Sequence, residues 1–371
     1  MTTLAIDTNW MRRAILIAQH GLGNVEPNPL VGCVIANQGQ LLAEGYHAQF
    51  GQAHAEVNAL ASLTPDSNLS QASMYVTLEP CCHHGKTPPC TTAIIDSGIK
   101  RVVVATTDPN EQVSGGGIEL LKAAGIEVVL GVCEPQANSL IASYVNAIEN
   151  KRPWIIAKWA MTLDGKIAAT NGSSQWISNS ESRAVVHQLR GRMDAILVGH
   201  KTANCDNPQL TARPTATKVQ RQAIRVVLAQ TPALQLDSHL VCSAGEIPVI
   251  VTAGPAADSE HCQQLIDQGV EVLTFNDDQA IIDGLLRELH QRKVTNLLVE
   301  GGSQLLGSLF DKQLIDEVHV FIASSLIGGA AAPAPIGGSG IDNMANALNL
   351  VHPAIETLGD NIYISGRIIR D

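Results

Sequence analysis

A chain of 371 residues is long enough for two or three domains, and 45% hydrophobic against 16% charged residues supplies full cores and excludes disorder. Aromatic residues make up only 3%, so those cores are aliphatic. A formal net charge of −11 argues against a general polyanion binder, while leaving room for a small phosphorylated substrate held by local cations.

No apolar run reaches the ~18 residues of a membrane span, and no apolar stretch follows a basic start, so a soluble cytoplasmic protein is expected. The eight cysteines are not the framework of a disulfide scaffold in a chain this long. Five are scattered and read as small buried residues. Cys81, Cys82 and Cys90 instead cluster in a segment that also carries His83 and His84.

In chain order, apolar spacing predicts a helix over 9–20, with Asn9 as its cap and Gly21 as its stop. A strand over 31–35, a hairpin turn at 37–39 and a strand over 40–47 follow. Next come a helix over 55–63, a strand over 73–78 running into Glu79-Pro80-Cys81, and a short helix over 91–96. A strand over 101–106, a helix over 116–124 and a strand over 127–130 complete an α/β layer sandwich with a mixed sheet. A helix over 134–149 closes the unit. Asn150-Lys-Arg-Pro153, polar, basic and proline-terminated, predicts the linker, giving domains 1–150 and 151–371.

The alternation then restarts. Strands are expected over 154–161, 195–198, 224–228, 248–251, 270–274, 296–300, 317–323 and 361–367. Helices over 180–191, 259–268, 279–291 and 303–312 accompany them, in a second α/β domain of ordinary size. The Ala-, Pro- and Gly-rich segment 330–340 predicts a mobile surface loop.

His54-Ala55-Glu56, Pro80-Cys81 and Cys90 carry a definite chemistry. One imidazole and two thiolates leave a fourth zinc position open for water, as in catalytic sites. Zinc lowers the pKa of such water from ~15.7 toward ~7, and a carboxylate two residues from the ligand His can shuttle its protons. The order His-x-Glu, Pro-Cys, Cys is the signature of zinc deaminases. His54, Cys81 and Cys90 are therefore expected as ligands and Glu56 as the catalytic acid–base. Residues two apart diverge on a mid-helix face, so His54 and Glu56 must sit in a first turn. Pro80 predicts a helix start at Cys81, whose dipole would favour the thiolate. The competing readings are a structural zinc knuckle, with a fourth ligand from Cys82, His83 or His84, and Cys82 replacing Cys81.

Zinc deaminases of nucleosides and of tRNA usually separate their two cysteines by two residues. Here eight intervene. The run Thr77-Leu-Glu-Pro-Cys-Cys-His-His-Gly-Lys-Thr-Pro-Pro-Cys90 resembles the deaminase half of the bifunctional riboflavin-biosynthesis deaminase–reductases. Pro27-Asn-Pro-Leu-Val-Gly-Cys33, Gly45-Tyr-His47 and Asp108-Pro-Asn110 strengthen the resemblance. Cys82 stands where that family commonly has Ser, and Glu111 where it commonly has Pro. The resemblance implies a cytidine-deaminase-like α/β/α layer sandwich acting on a phosphorylated pyrimidine. His83, His84 and Lys86 would bring local positive charge to the phosphate, and Asn28 would contact the ribosyl portion. A solvated polar loop and a turn residue are the bland alternatives.

The second half has no G-x-G-x-x-G after its first strand. Asn296-Leu-Leu-Val-Glu-Gly-Gly-Ser303 runs from an apolar strand through two glycines into a helix, which lets backbone N–H groups approach a phosphate. Glycines also make ordinary turns, so this signal alone is weak. Trp159-Ala-Met-Thr-Leu-Asp-Gly-Lys166, Ser174-Gln-Trp-Ile-Ser178, Thr202, Asp206-Asn-Pro-Gln-Leu210 and Arg213 resemble the reductase half of the same family.

That resemblance implies a dihydrofolate-reductase-like α/β fold using NADPH. Cofactor contacts would be Ala160, Trp176, Thr202, Asp206 and the run Gly302, Ser303, Gln304, Leu305, Leu306, Gly307 and Ser308. Substrate contacts would be Ser174, Arg190, Leu210, Arg213 and Glu300, the two guanidinium forks matching a sugar phosphate. Ala229-Gln230 departs from the family's Asp-Ser and puts one cofactor contact in doubt. Asp164, Lys158 and Glu300 are the acids on offer, unless Asp164 caps its own turn.

The function implied is deamination of a 2,5-diamino-6-ribosylaminopyrimidinone phosphate followed by NADPH reduction of its ribose. Zinc and NADPH are the expected cofactors and small phosphorylated pyrimidines the partners. Neither nucleic acid nor membrane is expected, and a homo-oligomer is. A nucleoside or tRNA-editing deaminase and a zinc-stabilised binding protein are the rivals.

Overall fold

A computed structural model describes residues 2–37, 39–64, 67–83, 88–110, 114–213 and 221–369, and the chain divides into units Met1–Lys151 and Arg152–Asp371. The first unit contains, in order, α1 (Thr3–Ala18), β1 (Gly32–Asn37), β2 (Gln40–Tyr46), α2 (Ala55–Ala61), β3 (Ser73–Val76) and α3 (Cys90–Asp96). It continues with β4 (Arg101–Val104), α4 (Gly116–Ala123), β5 (Glu127–Leu130), α5 (Glu134–Leu140) and α6 (Ala142–Glu149). The sheet order is β2-β1-β3-β4-β5. β1 pairs antiparallel with β2 and β3, and β3, β4 and β5 run parallel, so the sheet is mixed.

Side-chain alternation along the strands sets the layers. Cys33, Ile35, Met74, Val76, Val102 and Val104 join one apolar cluster with Ala59, Ile94 and Leu121 of α2, α3 and α4. Val34, Ala36, Tyr75 and Val103 point the other way, onto Met11 and Ala14 of α1 and Ala137 of α5.

The predicted start of the first helix is wrong by about two turns. Thr2, not Asn9, is its cap, accepting from the N–H of Ala5 at 3.4 Å. Asp7 disguises the continuation: it is buried inside the helix, where it takes both forks of Arg101 at 2.9 and 2.8 Å and the Tyr75 hydroxyl at 3.1 Å. The single helix expected over 134–149 is two, because Ile141 leaves helical geometry (φ −100°, ψ 15°) to bury its side chain.

The second unit contains β6 (Trp154–Thr162), α7 (Ser180–Arg190), β7 (Ala195–Gly199), α8 (His200–Asp206), β8 (Ile224–Leu228), α9 (His239–Cys242) and β9 (Val249–Ala253). α10 (Ser259–Asp267), β10 (Glu271–Thr274), α11 (Ile281–Gln291), β11 (Asn296–Glu300) and α12 (Ser303–Asp311) follow. The chain ends on β12 (Glu317–Ala323), β13 (Leu350–Leu358) and β14 (Asn361–Ile368). Nine strands form one sheet, β10-β9-β8-β7-β11-β6-β12-β14-β13, parallel except for the last two pairings. Ile196, Val198, Val227 and Leu298 pack on α7, α9 and α10; Leu197, Val226, Leu297 and Val299 pack on α11 and α12.

The segment 330–340, expected to be mobile, is pinned instead. Gly337 donates its N–H to Ser303 O at 3.0 Å, and Ser339 and Gly340 donate theirs to the Asp311 carboxylate at 2.7 and 3.1 Å. Backbone donors that sequence composition cannot anticipate have found partners on α12.

Two candidate active sites

His54 caps α2 in extended conformation (φ −76°, ψ 168°), and Glu56 lies in that helix's first turn. Cys90 begins α3. Cys81 sits in irregular chain beyond β3, so the helix start expected there is absent. Its sulfur instead accepts the backbone N–H of Cys90 at 3.3 Å. The stabilising N–H comes from the helix that the second cysteine opens.

The Nδ1 atom of His54 lies 3.3 Å from Cys90 Sγ and 3.6 Å from Cys81 Sγ. All three donor atoms fall within 4.8 Å of one another, the one such cluster among the described residues. A tetrahedral ion with bonds of ~2.0 Å to nitrogen and ~2.3 Å to sulfur spaces its donors by roughly 3.5 Å. The trio therefore fits zinc by donor type and by spacing. Cys82 is not part of it; its sulfur points toward Gly116, 3.1 Å from where a side chain there would begin.

The electrostatics agree. Burial raises the Glu56 carboxyl, which suits a group that must hold and release a proton near neutrality. The Cys81 thiol is pulled down first by the Cys90 sulfur, against burial, with His54 adding to the pull. Cys90 moves the opposite way, through its contact with Cys81 and its burial.

A cavity of about 270 Å³ opens over this cluster, lined by Asn28, His47, His54, Glu56, Cys81 and His83 among others. Cys90 is fully buried and lines none of it. Lys86 and His84 lie outside the described residues.

Two residues that sequence reasoning missed shape this cavity. His47 Nδ1 contacts Ala53 O at 3.1 Å; a carbonyl only accepts, so Nδ1 carries the proton. Nε2 is then free to accept from Asn28 Nδ2 at 3.1 Å, which orients the Asn28 amide. Glu79 is buried and gathers four backbone N–H groups, from Asp108, Gly115, Gly117 and Ile118, at 2.9–3.3 Å. It thereby ties the segment carrying Cys81 to the start of α4. Gly117 must be glycine, because a Cβ there would stand 2.0 Å from Pro80 O. His47 and Glu79 both lie in quoted motifs, but neither has a spacing that announces its role.

In the second unit, Gly301 (φ 140°) and Gly302 (φ 55°) carry β11 into α12. A Cβ on Gly302 would begin 3.0 Å from Thr202 Oγ1, so the turn presents bare backbone beside α8. Such a cradle at a helix N-terminus fits the pyrophosphate of a dinucleotide.

A cavity of about 900 Å³ lies along α12, lined by Gln304, Leu305 and Ser308. A smaller one of about 350 Å³ is lined by Lys158, Ala160, Ser174, Asp206, Leu210 and Glu300. Lys201, Thr202 and Gly302 line both. Ser303 lines the larger, and Leu306 and Arg190 the smaller.

Three expected contacts line neither. Trp176 is 74% exposed, its ring 4.8 Å from Arg183, and Gly307 packs against Gly337. Arg213 is exposed, donating to Gln209 Oε1 at 2.8 Å.

Arg190 spends its fork on Glu300, at 2.5 and 2.9 Å, with Lys158 Nζ 3.7 Å from the same carboxylate. Burial pushes the Glu300 carboxyl up, but Arg190 and Lys158 outweigh it and bring the pKa to about 2. Burial also lowers Lys158, against the pull of Glu300. Asp164 is a turn organiser, accepting from Thr162 Oγ1 and Gly328 N, both at 2.6 Å.

Among the described residues no helix is long and apolar enough to cross a membrane. The family model for the cytidine and deoxycytidylate deaminase zinc-binding region matches residues 4–106, and that for the RibD C-terminal domain matches 153–364. By class this is a zinc deaminase joined to a reductase. Riboflavin biosynthesis protein RibD of Actinobacillus pleuropneumoniae is 41% identical over 98% of this chain and 96% of its own.

Among solved structures, Acinetobacter baumannii RibD superposes with a TM-score of 0.85 at 34% identity, covering 99% of this chain and 100% of that one. The diaminohydroxyphosphoribosylaminopyrimidine deaminase/5-amino-6-(5-phosphoribosylamino)uracil reductase of Thermotoga maritima gives 0.84 at 35%, with the same coverage. The chain belongs to the RibD family of bifunctional deaminase–reductases of riboflavin biosynthesis.

Proposed function

We propose that residues 1–150 hydrolyse the exocyclic amine of 2,5-diamino-6-(5-phosphoribosylamino)pyrimidin-4(3H)-one, and that residues 151–371 reduce the resulting 5-amino-6-(5-phosphoribosylamino)uracil with NADPH to its ribityl phosphate. The observation that carries the first step is the convergence of His54, Cys81 and Cys90 beside a buried Glu56.

His54 Nδ1 and the sulfurs of Cys81 and Cys90 would hold zinc, which would supply Lewis-acid activation of water. The Glu56 carboxylate takes one proton from the attacking water to the ring nitrogen, then carries the second, from the hydroxyl so formed, to the departing amine. Oxygen replaces nitrogen on the ring carbon, and ammonia leaves. Asn28, oriented by His47, contacts the ribosyl portion; His83 and Lys86 supply charge for the phosphate.

In the second step bound NADPH would supply the hydride for C1′, and a proton is needed by the oxygen released as the sugar ring opens. Thr202, Asp206, the run Gly302–Leu306 and Ser308 would hold the dinucleotide, and Ser174, Leu210 and Glu300 the substrate. Arg190 holds Glu300 in place. Lys158, buried in the wall of the smaller cavity and made a readier acid by that burial, gives the proton. A cytoplasmic homo-oligomer working on small phosphorylated molecules belongs to the same proposal.

Glu56→Gln tests the assignment: ammonia release falls by ~10²-fold or more while zinc content is kept. Release at an undiminished rate removes Glu56 from the mechanism.

A further inference from the structure

The reductase reading leaves one feature of NADPH without a partner, the 2′-phosphate that separates it from NADH. The pyrophosphate cradle lies where the two cavities meet, at Lys201, Thr202 and Gly302. The smaller cavity holds Lys158, Glu300 and Arg190, so the adenosine half belongs in the larger one. There α12 and its cap present Gln304, Ser308 and Lys312 at i, i+4 and i+8, a polar stripe along one helical face. Leu228, Ile281 and Ile282 add apolar wall on which a base can rest.

Among the described residues, the charged or titratable groups lining this cavity are His200, Lys201, Asp278 and Lys312. His200 and Lys201 open α8 beside Thr202, at the pyrophosphate end. Asp278 lies against Gly254, its Oδ1 2.0 Å from where a side chain there would begin. Lys312 stands at the far end of the stripe, about 13 Å along the helix axis from Ser303 at 1.5 Å per residue. Its ammonium meets Asp283 Oδ2 at 3.0 Å, with the two side chains 39% and 50% exposed. A pair that open to water is weak and readily exchanged for a phosphate dianion. At the end of β8, on the wall of the same cavity, this chain has the uncharged Ala229 and Gln230.

We propose that Lys312 leaves Asp283 to bind the 2′-phosphate of NADPH and so sets the preference for NADPH over NADH; this rests on the reductase reading. The test is equilibrium binding of NADPH and of NADH to the full-length protein, followed by calorimetry. Lys312→Met weakens NADPH about tenfold and leaves NADH unchanged, the scale of one charge-assisted contact. Asp283→Asn, which frees the ammonium, tightens NADPH alone. NADPH affinity unaffected by Lys312→Met, or an equal loss for both dinucleotides, overturns the assignment and leaves the reductase reading intact. A wild-type protein that binds neither dinucleotide overturns both.

Discussion

Cys90 donates its backbone N–H to the sulfur of Cys81 at 3.3 Å. The first residue of α3 thus organises a thiol that has no helix of its own. It also explains why a long insertion between the two cysteines is compatible with a compact donor set: the ends of the loop are joined by the protein. Cys81→Ser removes a soft donor from the trio, so zinc per chain, measured by atomic emission, falls toward zero and ammonia release falls with it. NADPH binding, which uses the other unit, stays at the wild-type level.

Glu79 is a carboxylate whose hydrogen-bond partners among the described residues are four backbone donors. Glu79→Leu leaves those buried N–H groups unpaired, each a cost of about 1–3 kcal/mol. The melting temperature of the first unit falls by about 10 °C or more. Because Glu79 anchors the segment that carries Cys81, zinc affinity falls in the same variant. Unchanged melting and unchanged zinc affinity exclude this anchoring role.

Glu300 sets an acid limit on the second unit. Its folded pKa of about 2 lies below the ordinary 4.5, so its stabilising contribution is fully present above pH 4.5 and is lost as pH falls toward 2. Resistance of the wild type to urea therefore falls as pH drops across that window, and the corresponding slope is smaller in Glu300→Gln. At neutral pH the same variant is less stable by about 3 kcal/mol, because Arg190 and Lys158 are left facing no carboxylate. Parallel pH curves for the two proteins contradict this assignment.

The trio of candidate metal ligands was legible because its chemistry is local. His54 and Glu56 sit two residues apart at a helix start, and Pro80-Cys81 and Cys90 fall within one run of eleven residues. What escaped depends on contacts between distant segments. Asp7 looks like a helix boundary until Arg101, far along the chain, neutralises it. Arg190 reads as a phosphate ligand until β11 brings Glu300 into its fork.

Elements without periodicity were missed for the same reason. α8 buries only Ala203, and β13 is an exposed edge strand that includes Ile355 at 67% exposure and Glu356. Neither shows the apolar rhythm that identifies a helix or strand in isolation.

NADPH absorbance followed with Glu56→Gln protein tests the bifunctional account most directly. Fed the diaminopyrimidine substrate, this variant consumes almost no NADPH; fed the deaminated aminouracil, it oxidises NADPH at the wild-type rate. Rapid NADPH loss on the diaminopyrimidine, or none on the aminouracil, contradicts the assignment of successive steps to the two units.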